Sequence, residues 1–217
     1  SVASRGLGDV YKEGSTVDVT SGKFIDNNTG SKYLDAKRSA EGGAIKIDSS
    51  KLNIDGTSFT GNHLDSSKDE GGRQGGAIEA TNTVAVINRA KFNIPGPFNT
   101  GGAIKFENCS SAKVTDSTFT IAGGKGEFGI AGGAITSEGS NLKIEKSNFK
   151  AGKGTRVAEA GGLIQVLGKG SFTLSGSTLE GSGAWFNGGK DGLYTANTGG
   201  AISFYNLSLY TSDAADD

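Results

Sequence analysis

Gly42-Gly43-Ala44-Ile45 is the stretch that decides the fold, because this tetrapeptide recurs along the whole chain. It returns, intact or with one substitution, at positions 75–78, 101–104, 132–135, 161–164 and 199–202. Self-similarity at a period of about 20–50 residues is typical of solenoids, in which each repeat stacks on its neighbours. The sequence therefore predicts one elongated, stacked domain.

Within each repeat, apolar and polar residues alternate with a period of two, which indicates short strands. In the repeat that starts at Gly42, these strands are predicted at 43–47, 52–54 and 58–60. The second apolar residue of the middle strand lies five positions before an aromatic residue or leucine, as Ile54 lies before Phe59. The length of the return from this residue to the next Gly-Gly varies. Constant coils with variable inserts predict an all-β parallel β-helix with three short strands per coil and about six to seven coils.

Side chains at equivalent positions of successive coils are predicted to stack in three interior ladders. The glycine pairs are expected to permit positive φ and close approach of neighbouring coils. The three ladders are Ile45, Ile78, Ile104, Ile135, Ile164 and Ile202; Phe24, Phe59, Phe92, Phe119, Phe149 and Leu179; and Val19, Ile54, Ile87, Val114, Ile144 and Leu174.

The whole of 1–212 is predicted to be a single β-helix domain. Residues 1–14 have little periodicity and are expected to form an N-terminal cap or partial coil. Residues 181–198 form a glycine-rich insert that carries aromatic side chains, and 213–217 form an acidic tail.

The charge balance, a net −1 from 22 basic and 23 acidic residues, gives no reason to expect nucleic acid as a partner. No apolar run approaches the roughly 20 residues that span a bilayer, so no transmembrane segment is predicted in this chain.

The lone Cys109 excludes an internal disulfide. We expect a small buried side chain there, with a reactive thiol or an intermolecular bridge as the alternative. Three glycosylation sequons begin at Asn27, Asn108 and Asn206.

The polar positions beside the core offer little convergent chemistry. The outward column of the first strand is expected to be a solvated face, and it consists of Lys46, Glu79, Lys105, Thr136, Gln165 and Ser203. Glycan-cleaving enzymes need clustered carboxylates, whereas another column holds single acids separated by neutral residues, namely Asp55, Asn88, Thr115, Glu145 and Ser175.

The only histidine, His63, has no second histidine with which to share a metal, so neither a metal nor a cofactor is predicted. An enzyme would need a site built by a loop, from Asp65, Asp69, Glu70 and Arg73.

Ice binding is an alternative, because flat β-helix faces can carry threonine arrays. Beside the third strand, however, only Thr118 and Thr120 form a Thr-x-Thr pair. The alanine column of the repeated motif is flatter, but Leu163 protrudes into it.

Aromatic residues gather near the C-terminal end of the chain. The insert contains Trp185, Phe186 and Tyr194, and Tyr205 and Tyr210 follow it. Exposed aromatics favour contact with a protein or a glycan. The alternative is that they fold over the open end of the helix and cap it.

Gly-Gly-Ala-Ile alternating with Phe-x-x-Asn resembles the repeats of chlamydial polymorphic outer-membrane proteins. The second motif is complete in Phe24-Ile25-Asp26-Asn27 and Phe59-Thr60-Gly61-Asn62, and later coils keep the aromatic and lose the asparagine. The resemblance implies a right-handed β-helix that is displayed at a cell surface and used for adhesion. The sequence shows no β-barrel translocator of that family, so we expect either an excised passenger segment or a free-standing relative.

The leading hypothesis is a non-catalytic extracellular or cell-surface β-helix that acts in adhesion or self-assembly, including end-to-end stacking. Its partners would be other copies of itself, a surface protein or a glycan. The alternatives are an ice-binding module and a polysaccharide-active enzyme.

Overall fold

The computed structural model describes residues 14–29, 40–64, 73–95, 101–122, 129–131, 133–152, 157–160, 162–181 and 200–205, and every regular element in them is a β-strand. Three parallel sheets of six strands each run along the chain. The fold is therefore an all-β parallel β-solenoid, as the repeats predict.

Sheet 1 is built by the strands that follow each Gly-Gly pair. The period-two alternation of apolar residues lets each strand contribute one face to the interior. In spatial order from the start of the chain its strands are β5 (Ile45–Asp48), β10 (Ile78–Thr81), β13 (Ile104–Glu107), β17 (Ile135–Glu138), β21 (Ile164–Leu167) and β24 (Ile202–Tyr205).

Sheet 2 contains the middle strand of each coil, and sheet 3 contains the strand that carries the aromatic residue. Sheet 2 consists of β1 (Thr16–Thr20), β6 (Lys51–Asp55), β11 (Val84–Asn88), β14 (Ser111–Thr115), β18 (Leu142–Glu145) and β22 (Phe172–Ser175). Sheet 3 consists of β2 (Lys23–Ile25), β7 (Ser58–Thr60), β12 (Lys91–Ile94), β15 (Thr118–Ile121), β19 (Asn148–Ala151) and β23 (Thr178–Glu180).

Shorter strands pair in the segments that lead to the next Gly-Gly. They form three two-stranded parallel sheets: β3 (Asn28–Thr29) with β8 (His63–Leu64), β4 (Ala40–Glu41) with β9 (Arg73–Gln74), and β16 (Gly129–Ala131) with β20 (Val157–Ala160).

The predicted ladders are confirmed by the strand register. Ile78 pairs with Ile45 on one side and with Ile104 on the other, and Phe92 lies in the same way between Phe59 and Phe119. From Phe24 to Phe149 the five rings stack with centroids 4.5–4.9 Å apart and planes within 3–5°. Each fully buried side chain of this kind contributes about 1.5–3 kcal/mol. The core thus lies between the three sheets and is continuous from coil to coil.

The constant five-residue spacing between sheets 2 and 3 comes from a fixed corner. In every described coil, the residue two positions after the inward aliphatic residue of sheet 2 has a left-handed backbone conformation. Arg89 (φ 49°) and Asp116 (φ 48°) are examples. The next residue points inward and is polar in most coils. The Ser117 amide donates to Ser147 Oγ at 3.1 Å, and the Ser147 amide donates to Ser177 Oγ at 3.0 Å. The stacked serine hydroxyls therefore accept hydrogen bonds from backbone amides that, because of the turn, have no partner within the sheets.

The two glycines of the repeated motif have different roles. Gly75 has φ +62°, and a Cβ on it would lie 2.2 Å from the carbonyl oxygen of Ile78. A Cβ on Gly76 would instead lie 2.2 Å from the carbonyl oxygen of Gly102, in the next coil. The first glycine is needed for the turn and the second for coil stacking.

Two expectations about the surface of sheet 1 are wrong. Glu79, Lys105, Thr136, Gln165 and Ser203 are buried, although their column was expected to be solvated. The alanines of the motif are also buried at Ala44, Ala77, Ala103 and Ala134, as is Leu163, so this column offers no flat surface to ice. Alternation shows only that a side chain points away from the isoleucine ladder; it does not show that water reaches it.

Candidate functional site

The outward side chains of sheet 1 form a row that runs along the solenoid axis. We call Lys105, Thr136, Gln165 and Ser203 the polar row. Strand register places them on four successive strands, with Lys105 opposite Thr136, Thr136 opposite Gln165, and Gln165 opposite Ser203. All four are only 1–7% exposed. Burial of so many polar groups on one face requires partners for them.

Three members of the polar row lack such partners in the structure. Thr136 Oγ1, Gln165 Oε1 and Ser203 Oγ are buried and accept no hydrogen bond. Each group of this kind costs about 1–3 kcal/mol when it is withdrawn from water without compensation. The described contacts therefore do not offset the cost of withdrawing these three groups from water.

Lys105 differs from the other members because its charge is neutralised locally. Its Nζ lies 2.5 Å from Glu107 Oε2 and 3.6 Å from Glu138 Oε2. Both carboxylates lie on the same face of sheet 1, two residues along their strands. The charged end of the row is thus an ion pair, and its uncompensated part is neutral.

Tyr205 is the one predicted contact residue that the structure describes, and it lies beside this row. It is 66% exposed and sits on β24, two residues after Ser203, so both side chains belong to the same face. Trp185, Phe186, Tyr194 and Tyr210 lie outside the described residues, and the proposed choice between contact surface and cap stays a prediction.

The acidic column near the corner of sheets 2 and 3 forms structural pairs. Asp55 accepts hydrogen bonds from Asn88 Nδ2 at 2.9 Å and from Arg89 Nε at 2.8 Å. The hydrogen bond from Arg89 is the main cause that lowers the pKa of Asp55. Glu145 lies 3.0 Å from Lys143 Nζ and 3.3 Å from Lys113 Nζ, and the hydrogen bond from Lys143 is the main cause that lowers its pKa. Both groups are held in the charged state of an ion pair, which suits a surface ladder better than a catalytic acid.

The residues considered for a loop-built catalytic site are not brought together in the described part of the chain. His63 lies in β8 and Arg73 in β9, which belong to different two-stranded sheets. Asp65, Asp69 and Glu70 lie outside the described residues. Within the described ranges, no group of three or more His, Cys, Asp or Glu side chains is placed to hold a metal ion.

Two of the three sequon asparagines are described. Asn108 is exposed in a left-handed turn (φ 52°). Asn27 is half-buried, and its Nδ2 donates to Asn62 Oδ1 at 2.8 Å. Asn206 lies outside the described residues. Glycosylation of all three stays a prediction.

Asn62 and Cys109 have structural roles that sequence reasoning missed or left open. Asn62 is buried, donates to the carbonyl of Phe24 at 2.9 Å and accepts from the amide of Asn27 at 3.0 Å, so it links two coils. Cys109 is buried in the corner between sheets 1 and 2, where Sγ donates to the carbonyl of Ala80 at 3.3 Å. Burial raises the pKa of this thiol, which disfavours the reactive thiolate.

The two ends of the described solenoid form a second candidate surface. Sheets 2 and 3 begin with β1 and β2, which precede the first strand of sheet 1. At the other end, sheet 1 continues to β24, past the last strands of sheets 2 and 3. The described stack therefore starts with two strands of a coil and finishes with the remaining one.

The side chains at these ends are ladder residues that have lost part of their burial. Val17, Val19 and Phe24 are only partly buried at the start, and Phe172, Leu174 and Leu179 are partly buried at the finish. Phe204, in the inner column of β24, is 50% exposed. Central members of the same ladders are fully buried.

No known protein family, curated protein or solved structure matches the chain. The described residues contain no helix that is long and apolar enough to cross a membrane.

Proposed function

We propose that this protein is a non-catalytic β-solenoid that assembles with copies of itself, head to tail, as a structural or adhesive element at the cell surface or outside the cell. The observation that carries the proposal is the complementary step between the first and the last described strands. β24 of one copy, together with β1 and β2 of the next, would complete one coil of three strands.

The apolar side chains at the two ends are also complementary. If the register of the sheets continues from copy to copy, Phe172 of one copy meets Val17 of the next, and Leu179 meets Phe24. In sheet 1, Phe204 meets Ile47. The inward strand positions of the joint are apolar, so the joint extends all three ladders without a buried charge.

The backbone favours the same joint. The last strands of a sheet present unpaired N–H and C=O groups, which are templates for another strand. A head-to-tail contact uses different surfaces on the two partners, and such contacts form open filaments when the rotation does not close. Linear growth along the solenoid axis follows.

The finer features of the fold belong to the same proposal. We propose a right-handed solenoid of six to seven coils, with residues 1–212 as one domain, related to the chlamydial polymorphic outer-membrane protein repeats. The Gly-Gly-Ala-Ile motif and the two Phe-x-x-Asn motifs support this relation. Paired carboxylates in the corner column support a role without catalysis.

Sedimentation velocity over a wide concentration range, combined with negative-stain electron microscopy, tests the assembly. The wild type is expected to form linear particles whose length grows with concentration. Phe204→Asp places a charge in the joint and should leave monomers. Val86→Asp is the matched control, because Val86 is 37% exposed on the outer face of sheet 2, away from both ends. Wild-type protein that stays monomeric at every concentration would overturn the proposal.

A further inference from the structure

We propose that residues 10–13 occupy the sheet 1 position of the first coil in the monomer, and that β24 of another copy displaces them when copies join. The segment before β1 is thus a built-in competitor of head-to-tail assembly. The exchange rests on the proposed function, whereas the place of the segment can be tested whether or not copies assemble.

The first described coil, which contains β1 and β2, is entered from the side of sheet 1. Gly14 is left-handed (φ 72°), and its amide donates to the carbonyl of Ser49 at 2.9 Å. Ser49 is the left-handed corner (φ 49°) that directly follows β5. Thr16 pairs with Lys51, so Gly14 and Ser49 hold the same place in their coils. In the later described coils this corner always follows a strand of sheet 1, and residues 10–13 hold the corresponding place in the sequence.

The sequence of the segment supports this placement. Residues 8–15 read Gly-Asp-Val-Tyr-Lys-Glu-Gly-Ser, and residues 133–140, which contain β17, read Gly-Ala-Ile-Thr-Ser-Glu-Gly-Ser. Glycine, glutamate, glycine and serine stand at the same places in both, and the third place holds a β-branched aliphatic residue. Val10 is therefore the counterpart of Ile135, and residues 8–15 are a further, divergent copy of the repeated motif.

The edge of sheet 1 at β5 is where such a strand would add. The described partner of β5 is β10, which lies on one side of it, and the other side faces the coil of β1 and β2. In the register that β1 sets, a strand at 10–13 would place Val10 opposite Ile45 and Lys12 opposite Ile47. An extended segment that joins a sheet edge gains main-chain hydrogen bonds along its whole length.

The segment is nevertheless a poor occupant of this position. Lys12 would enter the inward column that runs from Ile47 to Phe204, whose described members are all uncharged. Its ammonium avoids burial only because the coil is at the end of the described stack, where a long side chain reaches water. Glu13 would lie opposite Asp48, and like charges on neighbouring strands repel each other.

β24 of another copy would be a better occupant. Phe204 would take the inward place of Lys12, and Tyr205 would take the place of Glu13 opposite Asp48. Phe204 is 50% exposed and Tyr205 is 66% exposed in the monomer, so the exchange buries apolar surface and removes a like-charge pair. The segment has the advantage of a high effective concentration, because it is tethered directly to β1. Assembly therefore begins only above a protein concentration that depends on how well the segment binds.

A pair of cysteines tests the place of the segment. In the Cys109→Ser background, Glu13→Cys and Asp48→Cys are expected to lie on neighbouring strands about 4.8 Å apart, within the range that a disulfide spans. Mild oxidation at concentrations where sedimentation shows a monomer should give the intrachain disulfide. Lys12→Cys with Asp48→Cys is the matched control, because these two side chains point to opposite faces. Absence of the 13–48 disulfide, or equally fast closure of the 12–48 pair, would overturn the inference.

The same disulfide tests the exchange. The oxidised protein cannot release its segment, so it should need at least tenfold more protein to form linear particles than the same protein after reduction. Oxidised protein that assembles like the reduced form overturns the exchange.

Two single variants test the exchange without a cross-link. Val10→Asp weakens the segment and should lower the concentration of half-assembly at least tenfold, whereas Lys12→Ile strengthens it and should raise that concentration at least tenfold. Absent or reversed shifts overturn the exchange. If both the wild type and Val10→Asp stay monomeric, the exchange falls together with the proposed function, and the 13–48 disulfide still decides where the segment lies.

Discussion

Gly76 lies against the carbonyl of Gly102 in the next coil so closely that a methyl group on it would be 2.2 Å from that oxygen. Gly200 occupies the same position of the motif in the last described coil, and a Cβ there would meet nothing within 4 Å. The second glycine of the motif is therefore sterically required in the middle of the stack, at Gly76, but not at its last described coil, at Gly200.

Gly76→Ala is expected to destabilise the protein by about 1–3 kcal/mol, because the backbone carbonyl that it meets cannot move without separating two coils. Gly200→Ala should leave the melting temperature of the monomer unchanged. Thermal unfolding of both variants under dilute conditions is the measurement. Equal destabilisation by the two substitutions would contradict the finding that Gly76 packs against the next coil and Gly200 does not.

Cys109→Ser is expected to be tolerated, with a change in unfolding free energy of no more than about 1 kcal/mol. The position lies one residue after a left-handed turn, and its backbone amide donates a hydrogen bond to Ser140 Oγ at 2.8 Å. The equivalent positions of other coils hold Ser50, Thr83 and Ser140, so a hydroxyl suits the corner. Chemical denaturation of both proteins measures the difference, and thiol labelling of the native wild type should be slow. Rapid labelling would contradict the buried placement.

Ile104→Asp should unfold the domain or destabilise it by at least about 4 kcal/mol, because it buries a charge without a partner in the middle of a ladder. Ile104 is fully buried between Ile78 and Ile135. Val86→Asp introduces the same charge on the outer face of sheet 2 and serves as the control. If the Ile104 variant melted like the control, the interior assignment of sheet 1 would be wrong.

Acid should weaken the fold through Asp55 and Glu145. Their pKa values lie below the ordinary 3.8 and 4.5 in the folded state, because of hydrogen bonds from Arg89 and Lys143 respectively. A carboxylate with a lowered folded pKa stabilises the protein above its unfolded pKa, and this stabilisation disappears as the pH falls through the folded value. Melting temperature should therefore decline below about pH 4, and the decline should be shallower in Asp55→Asn and at high salt.

The interior of the solenoid could be predicted from the sequence because it depends on periodicity. Ile78 and Phe92 pair with the residues that spacing alone assigns to them. The positive φ and close approach expected of the glycine pairs are also found, at Gly75 and Gly76 respectively.

The candidate site could not be predicted in the same way. Alternation assigns Thr136 and Gln165 to the side of the strand away from the isoleucine ladder, but it carries no information on what lies beyond that side. Asn62 was visible as part of Phe-x-x-Asn, yet its inward side chain and its bonds to Phe24 and Asn27 required the coil-to-coil geometry.

Directed disulfide formation between copies is the most direct test of head-to-tail assembly. In the Cys109→Ser background, one preparation carries Asp18→Cys on β1 and another carries Thr173→Cys on β22; both positions are exposed on the outer face of sheet 2. Continuation of the sheet would place them on adjacent strands about 4.8 Å apart, within the range that a disulfide spans. The account predicts that mixing the two preparations yields predominantly the mixed dimer. Homodimers formed as readily as the mixed species, or no cross-link at all, would contradict it.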